Sequence, residues 1–126
     1  MKKEDLLLFL QDIVEQGGDF TFLYNFHGGK RKIPFNVMQD VIIHGLNNGI
    51  FELYQRNSDE KSKTRYIEID KEKAILIVSD KKSWERWPDF YEVGFISPEK
   101  YLWILFGDEV GDKQKVPDEF LKFIVD

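Results

Sequence analysis

Histidine is the first side chain to consider for catalysis or metal binding, because the chain has two histidines and no cysteine. His44 follows Asp40 by one helical turn, a spacing at which a carboxylate can orient an imidazole for general-base catalysis. No nucleophile in a recognisable motif accompanies this pair, and the positions of His27 and His44 match no metal-binding spacing. The sequence therefore predicts no enzyme activity, no metal and no cofactor. A catalytic Asp40–His44 pair stays the enzymatic alternative.

The segment 27–32 combines two adjacent glycines with three basic residues, Lys30, Arg31 and Lys32. Backbone N–H groups beside glycines can hold a phosphate, although the spacing of a P-loop is absent here. Because Gly28-Gly29 favours a tight turn, we predict a β-hairpin with these basic residues at its tip. The charges either keep a solvated hairpin edge from aggregating or bind nucleic acid or a phosphate ligand.

The segment 83–91 is rich in the residue types that anchor protein interfaces. It contains Trp84, Arg86, Trp87 and Tyr91, together with the carboxylate of Asp89. Such side chains bury a large area with few rotatable bonds, which favours an interface. The alternative is that the two tryptophans fold inward and close an open end of the core, because large aromatic residues are highly buried on average.

The loop 107–112 concentrates three carboxylates, Asp108, Glu109 and Asp112, in a register that does not fit a calcium-binding EF-hand. The net charge of the chain is −5. Residues 1–79 hold 12 acidic and 11 basic groups, whereas residues 80–126 hold 11 and 7, so most of the negative charge is C-terminal. Negative charge repels nucleic acids and anionic membranes and steers basic partners, although it also serves plain solubility.

Two amphipathic helices and one short helix are predicted from the apolar periodicity, over about residues 3–16, 36–48 and 117–125. Leu8 falls on the polar face of the first helix, where it is either harmless or a contact. Asn36 is expected to cap the second helix, with Gln39 completing a capping box. That helix contains no Lys or Arg, so we do not expect it to read DNA.

Strands are predicted wherever apolar and polar residues alternate or a short apolar run is bounded by turns. The predicted strands are 19–26, 30–35, 50–56, 64–70, 73–79, 90–97 and 100–106. Together with the helices they give a single α+β domain over residues 1–126, with a mainly antiparallel, meander-like sheet of about five to seven strands. The helices of this fold are an N-terminal helix, a middle helix and a short C-terminal helix.

The chain has neither the apolar run of a secretory signal peptide nor one long enough to span a membrane, so we expect a cytoplasmic protein. The predicted function is a small acidic protein-binding module, of inhibitor, immunity or chaperone type, with a basic protein as partner. The candidate partner-binding residues are Trp84, Arg86, Trp87, Asp89, Tyr91, Asp108, Glu109 and Asp112. The alternative is a nucleic-acid or phosphate-ligand binder that uses Lys30, Arg31 and Lys32.

Overall fold

A computed structural model describes residues 1–16, 18–56, 66–85, 91–101 and 116–125. The helices are α1 (Lys3–Gln16), α2 (Phe20–Phe22), a π-helix (Leu23–Lys30), α3 (Phe35–Asn47), α4 (Lys71–Ser79), α5 (Lys82–Glu85) and two 3-10 helices (Pro98–Tyr101 and Asp118–Phe123). The strands are β1 (Gly18–Asp19), β2 (Phe51–Arg56), β3 (Tyr66–Ile69) and β4 (Tyr91–Phe95). These elements give an α+β fold.

The four strands of the described residues form one antiparallel sheet in the order β1-β4-β2-β3. The antiparallel sheet confirms the predicted class, whereas five to seven strands were too many for this part of the chain. The sheet is also no simple meander, because β4 pairs with β2 and leaves β3 at an edge.

Helices α1 and α3 pack against the sheet on the face that carries its buried residues. Leu53 of β2 lies opposite Val93 of β4, and both are fully buried. Helix α1 contacts β4 and helix α3 contacts β2. A side chain at Gly45 would overlap the ring of Phe51, so glycine is what allows α3 to approach β2 this closely.

The predicted strand 19–26 and the hairpin after it are wrong, because residues 20–30 are helical. The Asp19 carboxylate accepts a hydrogen bond from the Phe22 amide at 3.2 Å and so caps the first turn. Phe20, Leu23 and His27 are all buried, and their spacings of three and four residues are helical. The alternation of aromatic residues that indicated a strand is therefore not the pattern of burial.

The predicted strand 73–79 is also wrong, because it lies within helix α4. The Asp70 carboxylate accepts a hydrogen bond from the Lys73 amide at 3.0 Å, which is a helix N-cap. Ala74 and Val78, one helical turn apart, are fully buried, whereas Leu76 between them is 71% exposed. The apolar run thus includes residues on the exposed side of the helix as well as on the buried side.

Most other predicted elements are confirmed with small changes of boundary. Helix α1 has the predicted bounds, but α3 begins after Pro34, so the predicted Asn36 cap is wrong. Strands β2, β3 and β4 lie within their predicted ranges. The C-terminal helix is a 3-10 helix. Residues 98–101 form another 3-10 helix at the start of the predicted strand 100–106. Residues 102–106 of that predicted strand lie outside the described residues.

Candidate functional site

Two hydrogen-bonded side-chain pairs join α1 to the π-helix and to the residue that follows it. Asp12 Oδ2 lies 2.6 Å from His27 Nε2, and Asp5 Oδ1 is bonded to Arg31 Nη2. Asp5 and Asp12 are seven residues apart, two turns of α1, so both carboxylates lie on the same side of that helix. The two pairs therefore fix the π-helix alongside α1.

His27 has no exposed surface and is surrounded by aromatic rings. The edges of the Phe9, Phe22 and Phe26 rings meet the imidazole at centroid distances of 5.2, 6.2 and 5.0 Å. Burial lowers the pKa of His27, and the opposing effect of its hydrogen bond to Asp12 is smaller. The neutral imidazole therefore donates its Nε2 proton to Asp12, while buried Nδ1 has no hydrogen-bond partner. A substrate cannot reach this imidazole, so the pair acts as a structural tether.

An apolar surface lies over this tether. Phe22 is 46% exposed, and its ring is stacked on Phe26 at a centroid distance of 5.4 Å and an interplanar angle of 7°. Leu8 is 39% exposed and lies on α1 between Asp5 and Asp12, the two carboxylates of the pairs described above. We call Leu8, Phe22 and Phe26 the aromatic patch. Single exposed apolar residues are common, but an exposed ring stacked on a second, partly buried ring is the kind of feature that anchors an interface.

Carboxylates border the aromatic patch. Glu4, Asp12 and Glu15 lie four residues before, four residues after and seven residues after Leu8, so they share its face of α1. Glu4 and Glu15 are exposed, and Asp12 retains partial exposure while bonded to His27. The outer face of α1 is therefore negative with an apolar centre.

The face of the sheet opposite the helices is acidic as well. Glu52, Glu68 and Glu92 surround Tyr54 in the strand register, and the Tyr54 hydroxyl donates to Glu52. Burial raises the pKa of Tyr54, and the hydrogen bond to Glu52 raises it further. Carboxylates therefore lie on two separate surfaces of the described chain.

Trp84 lies in the core. Its indole has no exposed surface, stacks on Phe20 at 4.3 Å and donates to the Val78 carbonyl at 3.0 Å. For Trp84 the structure thus has the core packing that the sequence offered as the alternative to an interface, whereas Trp87 lies outside the described residues. Tyr91 is half-buried on β4, 6.2 Å from the Phe20 ring. The other candidate partner-binding residues, Arg86, Trp87, Asp89, Asp108, Glu109 and Asp112, lie outside the described residues.

The three basic residues of the predicted hairpin tip are divided between two environments. Lys30 ends the π-helix and is exposed, and Lys32 is exposed with a positive φ of 57°. Arg31 is three-quarters buried and its charge is compensated by Asp5. The alternative anion-binding site therefore keeps two uncompensated cations, not three.

Asp40 and His44 are not joined by a hydrogen bond or an ion pair, although the structure describes both. The His44 imidazole lies 3.3 Å from the Asn48 amide and packs edge-on against Phe120 and Phe123. Asp40 is exposed. This imidazole therefore packs as part of the contact between α3 and the C-terminal 3-10 helix.

The sequence reasoning missed the Asp12–His27 tether and the stacked ring pair. A strand over 19–26 would have put His27 at a turn, far from α1. The helical spacing of Phe20, Leu23 and His27 was the signal that could have found both, whereas the exposed position of Leu8 was recognised.

Comparisons of the chain with models of protein families, with curated proteins and with solved structures gave no match. None of the helices in the described ranges combines the length and apolar character needed to cross a membrane. Over the same ranges, no three or more His, Asp or Glu side chains are grouped so that they could hold a metal ion.

Proposed function

We propose that this protein is a small protein-binding module that holds a basic partner at the aromatic patch. The observation that carries the proposal is the stack of the exposed Phe22 ring on the partly buried Phe26 ring, beside the acidic outer face of α1. The tether beneath it fixes the π-helix, so the rings are held in place before a partner arrives. Ordering the surface in advance lowers the entropic cost of binding.

Rings and carboxylates have different roles in this proposal. A buried aromatic anchor typically contributes about 2 kcal/mol or more to affinity, because it leaves water and fills a pocket in the partner. Exposed carboxylates contribute little to affinity but accelerate encounter with a positive surface and disfavour acidic partners. The acidic sheet face adds to the same field.

The proposal includes the loop residues that the sequence singled out. Arg86 and Trp87 are of the residue types enriched at interfaces, and Asp89, Asp108, Glu109 and Asp112 extend the negative charge. A module of this kind acts by occupying its partner, as an inhibitor, immunity protein or chaperone does. We place it in the cytoplasm because a chain without cysteine suits a reducing compartment.

The test begins with the partner that co-purifies with the untagged protein from its native host at physiological salt. Its affinity is then measured by calorimetry for the wild type, Phe22→Ala, Leu8→Ala and the control Leu76→Ala. Leu76 is the more exposed residue and lies on α4, away from the patch. We expect Phe22→Ala to cost roughly 2 kcal/mol of binding free energy, Leu8→Ala less, and Leu76→Ala nothing measurable.

The wild-type association rate should also fall as salt is raised, because added ions screen the carboxylates. Equal affinity of Phe22→Ala and Leu76→Ala would rule out the aromatic patch. Retention of nucleic acid, lost in the double variant Lys30→Ala and Lys32→Ala, would replace the proposal with the anion-binding alternative.

A further inference from the structure

A cavity of about 190 Å³ lies on another side of the π-helix, independent of the aromatic patch. Tyr24, Gly28 and Gly29 line it from the π-helix, whose hydrogen bonds span five residues and so place residues four and five apart on one side. π-helical segments are rare and occur frequently at functional sites, which makes a cavity beside one a candidate for binding.

The floor of the cavity is apolar and closely packed. Ile33 and Met38 are buried, and Phe35 is half-buried beside them. A Cβ atom at Gly28 would lie 3.0 Å from the Met38 methyl group, so the absence of a side chain there leaves room between the π-helix and α3. Glycine at position 28 therefore helps to leave this cavity open.

The aromatic walls are fixed by the core. The Phe35 ring meets Tyr24 edge-on at 5.7 Å and Trp84 edge-on at 5.1 Å. Trp84 is itself held by its hydrogen bond to Val78 and its stack on Phe20. A ligand would thus find the walls already in position, which favours affinity.

Lys81 supplies the charge at the rim. It is the one ionised side chain among the described residues that line the cavity, and it is 60% exposed. Its Nζ lies 3.8 Å from Glu85, whose carboxylate also accepts the Tyr24 hydroxyl at 3.0 Å. Exposed ion pairs of this length are weak, so the ammonium can exchange Glu85 for a ligand carboxylate. The remaining carboxylate of Glu85 disfavours a ligand with more than one negative charge.

We propose that this cavity binds a small aromatic monocarboxylate, with the ring on Ile33 and Met38 and the carboxylate on Lys81. Size supports a single ring, because an apolar cavity of about 150 Å³ holds benzene, whereas the pockets of drug-sized ligands measure roughly 300–1,000 Å³. Charge supports a monoanion, because the lining carries one cation and the nearby Glu85 is negative. The site needs neither the aromatic patch nor a protein partner.

The test is a titration of the ¹⁵N-labelled chain with benzoate, followed by its amide NMR signals. Benzyl alcohol and benzylamine serve as comparators with the same ring and a neutral or positive group. We expect benzoate to shift the Gly28 and Gly29 amides saturably at millimolar concentration, benzyl alcohol to bind at least about threefold more weakly, and benzylamine to bind weakest.

Lys81→Gln should weaken benzoate at least about threefold, while Lys82→Gln, the next residue and outside the lining, should leave the titration unchanged. Both lysines are exposed, so neither variant threatens the fold. The proposal is overturned if the Gly28 and Gly29 amides do not shift with benzoate. It is overturned equally if both lysine variants weaken benzoate by the same factor, or if benzylamine binds as well as benzoate.

Discussion

His27 shows how one buried side chain links the fold to pH. Protonation would place a second N–H at Nδ1, which has no acceptor inside its cage of aromatic rings. Burial accordingly lowers the pKa of His27 in the folded state, whereas in the unfolded chain the pKa is about 6.5. Below that pH the unfolded state binds a proton that the folded state does not, so stability falls as the pH falls.

We expect the free energy of unfolding, measured with urea, to decrease as the pH is lowered from 7.5 to 5.5. Below pH 6.5 the decrease should be at most about 1.4 kcal/mol per pH unit. Carboxylates titrate mainly below this window, which isolates the histidine contribution. His27→Gln keeps a donor for Asp12 but cannot titrate, so its stability should vary less over the same range. If the unfolding free energy of the variant changed with pH as steeply as that of the wild type, burial of His27 would not be the cause of the pH dependence.

Lys32 shows how the chain leaves the π-helix. Its φ of 57° is left-handed, a conformation that costs a non-glycine residue roughly 1–2 kcal/mol. The Ile33 amide then donates to the His27 carbonyl at 2.9 Å, which turns Ile33 into the core just before Pro34 and the beginning of α3. The strained residue therefore connects the element that carries both candidate sites to the helix behind them.

Substitutions at Lys32 should report this strain. Lys32→Gly relieves the strain, but glycine loses more backbone entropy on folding. We therefore expect this variant to be more stable than the wild type by between zero and about 1 kcal/mol. Lys32→Val adds a β-branched side chain to a left-handed residue and should destabilise by about 1 kcal/mol or more. Lys30→Val is the control, since Lys30 has a negative φ and is also exposed. A Lys32→Val variant as stable as the wild type would show that the turn is not left-handed.

The elements also show where sequence reasoning succeeds. The helical stripe of α1 and the alternation of β2 each matched the real pattern of burial, so α1 had the predicted bounds and β2 lay within its predicted range. Residues 20–30 and 71–79 failed because alternating aromatic residues and a short apolar run fit more than one period. In both cases the helix begins at an aspartate, Asp19 or Asp70, whose carboxylate accepts a hydrogen bond from the amide of the third residue on. The tether of Asp12 to His27 depended on the first of these corrections.

At the scale of the whole molecule, the C-terminal 3-10 helix closes the core over α3 and β2. Phe120 is fully buried, stacks on Phe51 at 5.4 Å and meets His44 edge-on at 5.9 Å. The Val125 amide bonds the Met1 carbonyl at 2.8 Å, which ties this helix to the beginning of α1. Residues near both ends of the chain therefore belong to one packed structure.

Phe120→Ala tests whether this closure stabilises the molecule as a unit. Removing a buried phenylalanine costs about 3–5 kcal/mol, a large part of the roughly 5–15 kcal/mol that stabilises a domain. The neighbouring Leu121 is 47% exposed, so Leu121→Ala should change the unfolding free energy by no more than about 0.5 kcal/mol. Hydrogen exchange in Phe120→Ala should accelerate in α1 and β2 together. The reason is that the C-terminal segment bonds to the beginning of α1 and packs on β2. Acceleration confined to residues 116–125 would mean that this helix only covers a core that is stable without it.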